Sequence, residues 1–90
     1  MTSQQMNYYT QLLSHVANLK TGTQFCLDKT FYAQALPNVI LNVSDKRALG
    51  KEFKNDVNSN KINVRYNYKY GNCQRCGYKS SSNIINYVKI

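Results

Sequence analysis

The sequence has no tryptophan, one proline, four glycines and one histidine. No apolar run approaches the ~20 residues that a membrane-spanning helix needs. The N-terminus, MTSQQMNYYT, lacks the basic-then-apolar layout of a signal peptide. These absences point to a soluble, cytoplasmic protein. Three cysteines are an odd number, which argues against a complete disulfide framework. No Gly-rich phosphate loop and no nucleophile elbow occurs. Acidic residues are scarce: Asp28, Asp45, Glu52 and Asp56 are the whole set. None forms a recognisable metal-binding pair, which argues against a two-metal nuclease. His15, the lone histidine, falls inside a helical pattern, where packing or exposure accounts for it better than catalysis. The expectation is a non-enzyme without cofactor or metal.

What is present is positive charge, asparagine and tyrosine. Ninety residues carry 12 Lys+Arg against 4 Asp+Glu, a net charge of +8. Residues 1–45 sum to zero, so the whole excess lies in residues 46–90. A basic half on a small domain attracts polyanions, of which nucleic acid is the commonest in the cytosol. The plain alternative is a solvated surface kept soluble by repulsion. The 12 Asn, 9 Lys and 8 Tyr can also reflect AT-rich codon usage. At this length the chain supports one domain with one modest core.

The periodicity predicts a helix over residues 3–19, capped by Ser3. Its apolar stripe would be Met6, Tyr9, Leu12, Leu13, Val16 and Leu19. Gly22 suits a turn with positive φ. Residues 24–27 read as a short strand. Asp28 can cap a second helix that packs Phe31, Tyr32 and Ala35 inward, and Pro37 ends it at Leu36. Residues 38–43 are ambiguous, because Val39, Ile40 and Leu41 fit a turn, a helix or a strand. Ser44 is the next capping candidate, opening a third helix over residues 45–58.

In that helix Leu49, Phe53 and Val57 step by four along one face. Arg47, Lys51, Lys54, Asn55 and Asn58 fall on the opposite face at 100° per residue. Gly50 costs about 1 kcal/mol relative to Ala inside a helix. It suggests close packing or close approach by a ligand, although a tolerated glycine is the simpler reading.

Residues 61–70 alternate strictly, with Ile62, Val64, Tyr66, Tyr68 and Tyr70 on one face and Lys61, Asn63, Arg65, Asn67 and Lys69 on the other. That is a strand pattern. Residues 71–82 are turn-rich and basic, and 83–90 form a second strand candidate, so the two would pair as a hairpin. The fold class expected is α+β, a small winged helix-turn-helix over residues 1–90, with three helices, a short strand and a C-terminal β-hairpin wing.

The candidate nucleic-acid-binding residues follow from that layout. Arg47, Lys51 and Lys54 would track phosphates along the third helix. Lys61, Arg65 and Lys69 form a second basic row, with alternate strand residues about 6.6–7 Å apart. Tyr68, Tyr70 and Tyr78 near the wing tip could stack on unpaired bases, each worth about 1–3 kcal/mol. Arg75 and Lys79 add tip charge. Cys73 and Cys76 resemble half of a zinc knuckle, but a tetrahedral site wants four ligands. Cys26 and His15, in the first half, are expected to lie away from the tip.

The stretch Leu19-Lys20-Thr21-Gly22-Thr23-Gln24-Phe25, with Arg47-Ala48-Leu49-Gly50-Lys51-Glu52-Phe53 further on, resembles a family of small proteins from bacterial mobile elements. These are the single-stranded-DNA-binding proteins of staphylococcal cassette chromosomes. The resemblance runs from about residue 12 to the C-terminus on short motifs. It implies a reduced winged helix-turn-helix that binds single-stranded DNA, acting in replication or maintenance of a mobile element beside a helicase or polymerase. Arg47 and Lys51 match the third-helix motif, while the cysteine pair is no landmark of the family. Adjacent copies would cover a long strand. Two readings compete with it: a duplex-DNA regulator whose Arg47, Lys51, Asn55 and Asn58 read base edges, and an adaptor docking on an acidic protein.

Overall fold

A computed structural model describes residues 1–66 and 86–90. Three helices and three strands follow in the order α1 (Ser3–Ala17), β1 (Gln24–Cys26), α2 (Lys29–Ala35), α3 (Val43–Asn58), β2 (Val64–Tyr66) and β3 (Asn86–Lys89). The fold is α+β with one three-stranded antiparallel sheet, ordered β1-β3-β2. The described ends of the predicted hairpin do pair, Val64 opposite Lys89 and Tyr66 opposite Tyr87.

Helix termini differ from the expectation for clear chemical reasons. Thr2, not Ser3, caps α1, because its hydroxyl accepts from Gln5 N–H while the Gln5 side chain accepts from Thr2 N–H. Asn42, not Ser44, caps α3 through the same reciprocal exchange with Asp45, so the helix starts at Val43. Asp28 caps α2 as its sequence position predicts, accepting from Phe31 N–H at 2.8 Å. The second helix ends at Ala35, with Leu36 outside the helical region ahead of Pro37.

The end of α3 explains why the strand starts late. Asn60 takes the left-handed conformation (φ 56°). Its N–H reaches Val57 O, and Lys61 N–H reaches Asp56 O at 3.0 Å. This pair of bonds is a Schellman motif with asparagine in place of glycine. Lys61 therefore belongs to the helix terminus rather than to a strand. The alternation nevertheless holds across residues 61–66: Ile62, Val64 and Tyr66 turn inward while Lys61, Asn63 and Arg65 are exposed.

The core joins α1 (Tyr9, Leu12, Val16), α2 (Phe31, Tyr32, Ala35), α3 (Leu49, Phe53, Val57) and the inner face of the sheet. Phe25, Tyr87 and Tyr66 form an aromatic row across all three strands, with centroids 5.7 Å apart in each neighbouring pair. Phe53 meets Tyr87 edge-on at 4.9 Å, which seats α3 on that row. Met6 leaves the predicted stripe and is exposed. At 100° per residue Gln5 falls near the line of Leu12 and Val16, and it reaches Asp45 at 3.0 Å instead. Gly22 has φ +92° as expected, and its N–H reaches Lys89 O at 2.7 Å, tying the turn before β1 to β3.

Candidate nucleic-acid interface

The outer face of α3 holds Arg47, Lys51 and Lys54, all exposed, as the 100° rule requires once Leu49, Phe53 and Val57 are buried. Lys46 is exposed beside them. Arg47, Lys51 and Lys54 sit three or four residues apart, about 4.5–6 Å along the axis. The backbone carbonyl of Lys46 also accepts a long hydrogen bond from Tyr32 Oη (3.5 Å), which holds the start of α3 against α2.

Three of the four acidic residues accept hydrogen bonds within the fold. Asp28 caps α2, while Asp45 closes the α3 cap and accepts from Gln5. Asp56, 8% exposed, accepts from Tyr9 Oη at 2.5 Å. Three of the four carboxylates in the chain thus accept hydrogen bonds from donors of the chain. Arg47, Lys51 and Lys54 face solvent, and Asp45 and Glu52 on the same helix are half-buried. Such a surface has a positive potential and pairs with phosphates.

Arg65 is exposed on the sheet face opposite Val64 and Tyr66, which turn toward the helices. It is not gathered with the α3 cations. Lys61 and Lys89 line a cleft of about 310 Å³ with Leu13 and Val16 of α1 and Ile62. Lys61 lies in the Schellman turn outside β2, while it and Arg65 are both exposed. Tyr68, Lys69, Tyr70, Arg75, Tyr78 and Lys79 lie outside the described residues, as do Cys73 and Cys76.

Two asparagines of the duplex reading part company. Asn55 is exposed on the outer face, whereas Asn58 Oδ1 accepts from Tyr66 Oη at 2.6 Å. Gly50 is not forced by packing. A Cβ there would meet only Tyr32 Oη, at an ordinary 3.9 Å. His15 packs its ring edge-on against Phe31 at 5.2 Å. Cys26, 1% exposed, is disulfide-bonded, a bond the sequence reading did not assign.

Burial raises the pKa of three tyrosines: Tyr32 to about 12, and Tyr9 and Tyr87 further still. For Tyr9 the hydrogen bond to Asp56 adds to the effect, since a phenolate there would face a carboxylate. These rings are structural and neutral, and they are not available for base stacking.

Lys46, Ile40 and Val43 are exposed positions that the sequence patterns do not single out. Lys46 was hidden by its wheel position nearer the core side. Ile40 and Val43 were hidden in an apolar run whose outward members no local pattern distinguishes.

No family model matches the chain, and no curated protein matches it in sequence. Among solved structures, the nucleic acids binding protein LP1413 of SCCmec type IV is similar in fold. Its TM-score is 0.66 at 17% identity, over 100% of this chain and 91% of that one. Among the described residues, no helix is long and apolar enough to cross a membrane.

Proposed function

We propose that this protein binds single-stranded DNA with little sequence preference, as a non-catalytic module serving replication or maintenance of a mobile element. The observation that carries the proposal is the outer face of α3. Arg47, Lys51 and Lys54 stand exposed there while three of the four carboxylates accept hydrogen bonds from donors of the chain. Lys46 adds charge in the first turn of the same helix, and Arg65 offers a further phosphate contact on the sheet. The fold likeness to a nucleic-acid-binding protein of a cassette chromosome supports the same direction. In this reading α2 and α3 serve as the helix-turn-helix of a winged helix. Long strands are covered by adjacent copies, with a helicase or polymerase of the same element as partner.

Duplex readout is the weaker reading. A base-reading role for Asn58 would sacrifice its 2.6 Å bond with Tyr66. The test is fluorescence anisotropy with one labelled sequence of about 30 nucleotides, offered single-stranded and as duplex at two salt concentrations. Tighter, sequence-tolerant single-strand binding is expected. Equal or tighter duplex binding would overturn the proposal.

A further inference from the structure

We infer that Ile40, with Val43 beside it, is an apolar contact for unpaired bases at the leading end of the basic helix. The inference rests on the single-strand reading above and names where that reading places the bases. Ile40 is 97% exposed, the most exposed large apolar side chain among the described residues, and Val43 follows at 64%.

The outward direction of Ile40 is imposed by its neighbours. Leu36 is 1% exposed, and Val39 and Leu41 pack against the core on either side of Ile40. Val39 N–H is bonded to Leu36 O at 3.2 Å, and Asn42 is fixed by its exchange with Asp45. A segment anchored at both ends and on both sides of Ile40 holds that side chain in water.

Val43 opens α3 one turn before Arg47 and three residues before Lys46. Val43 therefore adjoins Arg47 on the helix surface, and Ile40 lies in the segment that leads into this end of α3. Apolar surface next to a row of cations matches a strand whose phosphates meet Lys and Arg while its bases turn an unstacked face toward the protein. In a duplex those base faces are already covered by stacking, so an aliphatic side chain gains little there without unstacking a step.

The test uses the full chain and two strands of equal length, about 30 units: mixed-sequence single-stranded DNA, and the same phosphodiester backbone without bases. Ile40→Ser is expected to fold as the parent does, because the side chain is in solvent. Circular dichroism checks this. It should weaken binding to the base-containing strand about 3- to 10-fold and leave the abasic strand unchanged. The slope of log K against log salt should stay the same, since no phosphate contact is lost. Lys51→Ala should do the converse, lowering the slope while preserving the base-to-abasic ratio.

Unchanged binding by Ile40→Ser, or an equal loss on both strands, would overturn the inference and leave the single-strand reading standing. Failure of the parent protein to prefer single strands would overturn that reading and the inference with it. Sedimentation equilibrium separates one more outcome. Self-association of the parent that Ile40→Ser abolishes would assign the surface to a second copy of the chain, and overturn the inference too.

Discussion

Raising the pH above 10 should unfold this protein steeply, because three buried phenols hold their protons in the folded state and lose them in the unfolded one. Tyr9, Tyr32 and Tyr87 are 7%, 6% and 2% exposed. Each pKa is raised from an ordinary value of 10.0, Tyr32 to about 12 and the others higher. Stability changes with pH in proportion to the difference in bound protons between the unfolded and folded states. Below pH 10 both states keep these protons, and the contribution is fully present. Between pH 10 and 12 the unfolded chain has released them while the folded chain has not, so stability falls. Each group contributes about 1.4 kcal/mol per pH unit, and three together about 4 kcal/mol per unit. A small domain holding roughly 5 kcal/mol at neutral pH would be exhausted between one and two units above pH 10. Lysine deprotonation works the other way by relieving the +8 charge, so the measurement belongs at moderate salt. Urea unfolding followed by far-ultraviolet circular dichroism at stepped pH gives the slope, and phenolate absorbance gives the ionisation. Part of the phenolate signal should rise together with loss of helix. Tyr32→Phe should lower the slope by about one third, since the Tyr32 hydroxyl has only a 3.5 Å bond to lose. Complete phenolate formation near pH 10 with the helices intact, or an unchanged slope in Tyr32→Phe, would refute the reasoning.

Tyr9→Phe leaves the buried Asp56 carboxylate without its phenol donor and should cost about 1.5–3 kcal/mol in urea unfolding, whereas a change below experimental error would show the bond to be idle. Gly50→Ala should stabilise the protein by about 0.5–1 kcal/mol, because the Cβ has room and the helix gains propensity; destabilisation would reveal a packing constraint at that position. Arg47→Ala and Lys51→Ala should each reduce the magnitude of the salt slope for single-stranded DNA by about 0.7, and an unaltered slope would remove that residue from the phosphate contacts. With Cys26 in a disulfide, the oxidised protein unfolded without reductant should titrate one thiol of its three cysteines; three thiols would show that the bond does not form in solution.

Much of this molecule is decided locally, and those features are legible in the sequence. The Asp28 cap, the stop before Pro37, the positive φ at Gly22 and the Leu49–Phe53–Val57 stripe depend on a few adjacent residues and on helix period alone. The same period puts Arg47, Lys51 and Lys54 on the outside of α3. Inward and outward alternation over residues 61–66 follows from the pleat. The Thr2 and Asn42 caps are local too, since each has a reciprocal partner three residues on that Ser3 and Ser44 lack.

Other features needed the chain to close on itself. Met6 lost its place in the core to the geometry of Gln5 and Asp45, 40 residues apart. Asp56 has its phenol donor only because α1 brings Tyr9 to it across 47 residues. Asn58 accepts from Tyr66 because the strand tyrosine reaches back to the end of the helix. Ile40 is outside only because Leu36, Val39 and Leu41 are inside. Helix and strand period can be read along the chain, but side-chain partners are set by distances between segments. Which charges are neutralised and which apolar groups stay in water is therefore decided only in the tertiary structure.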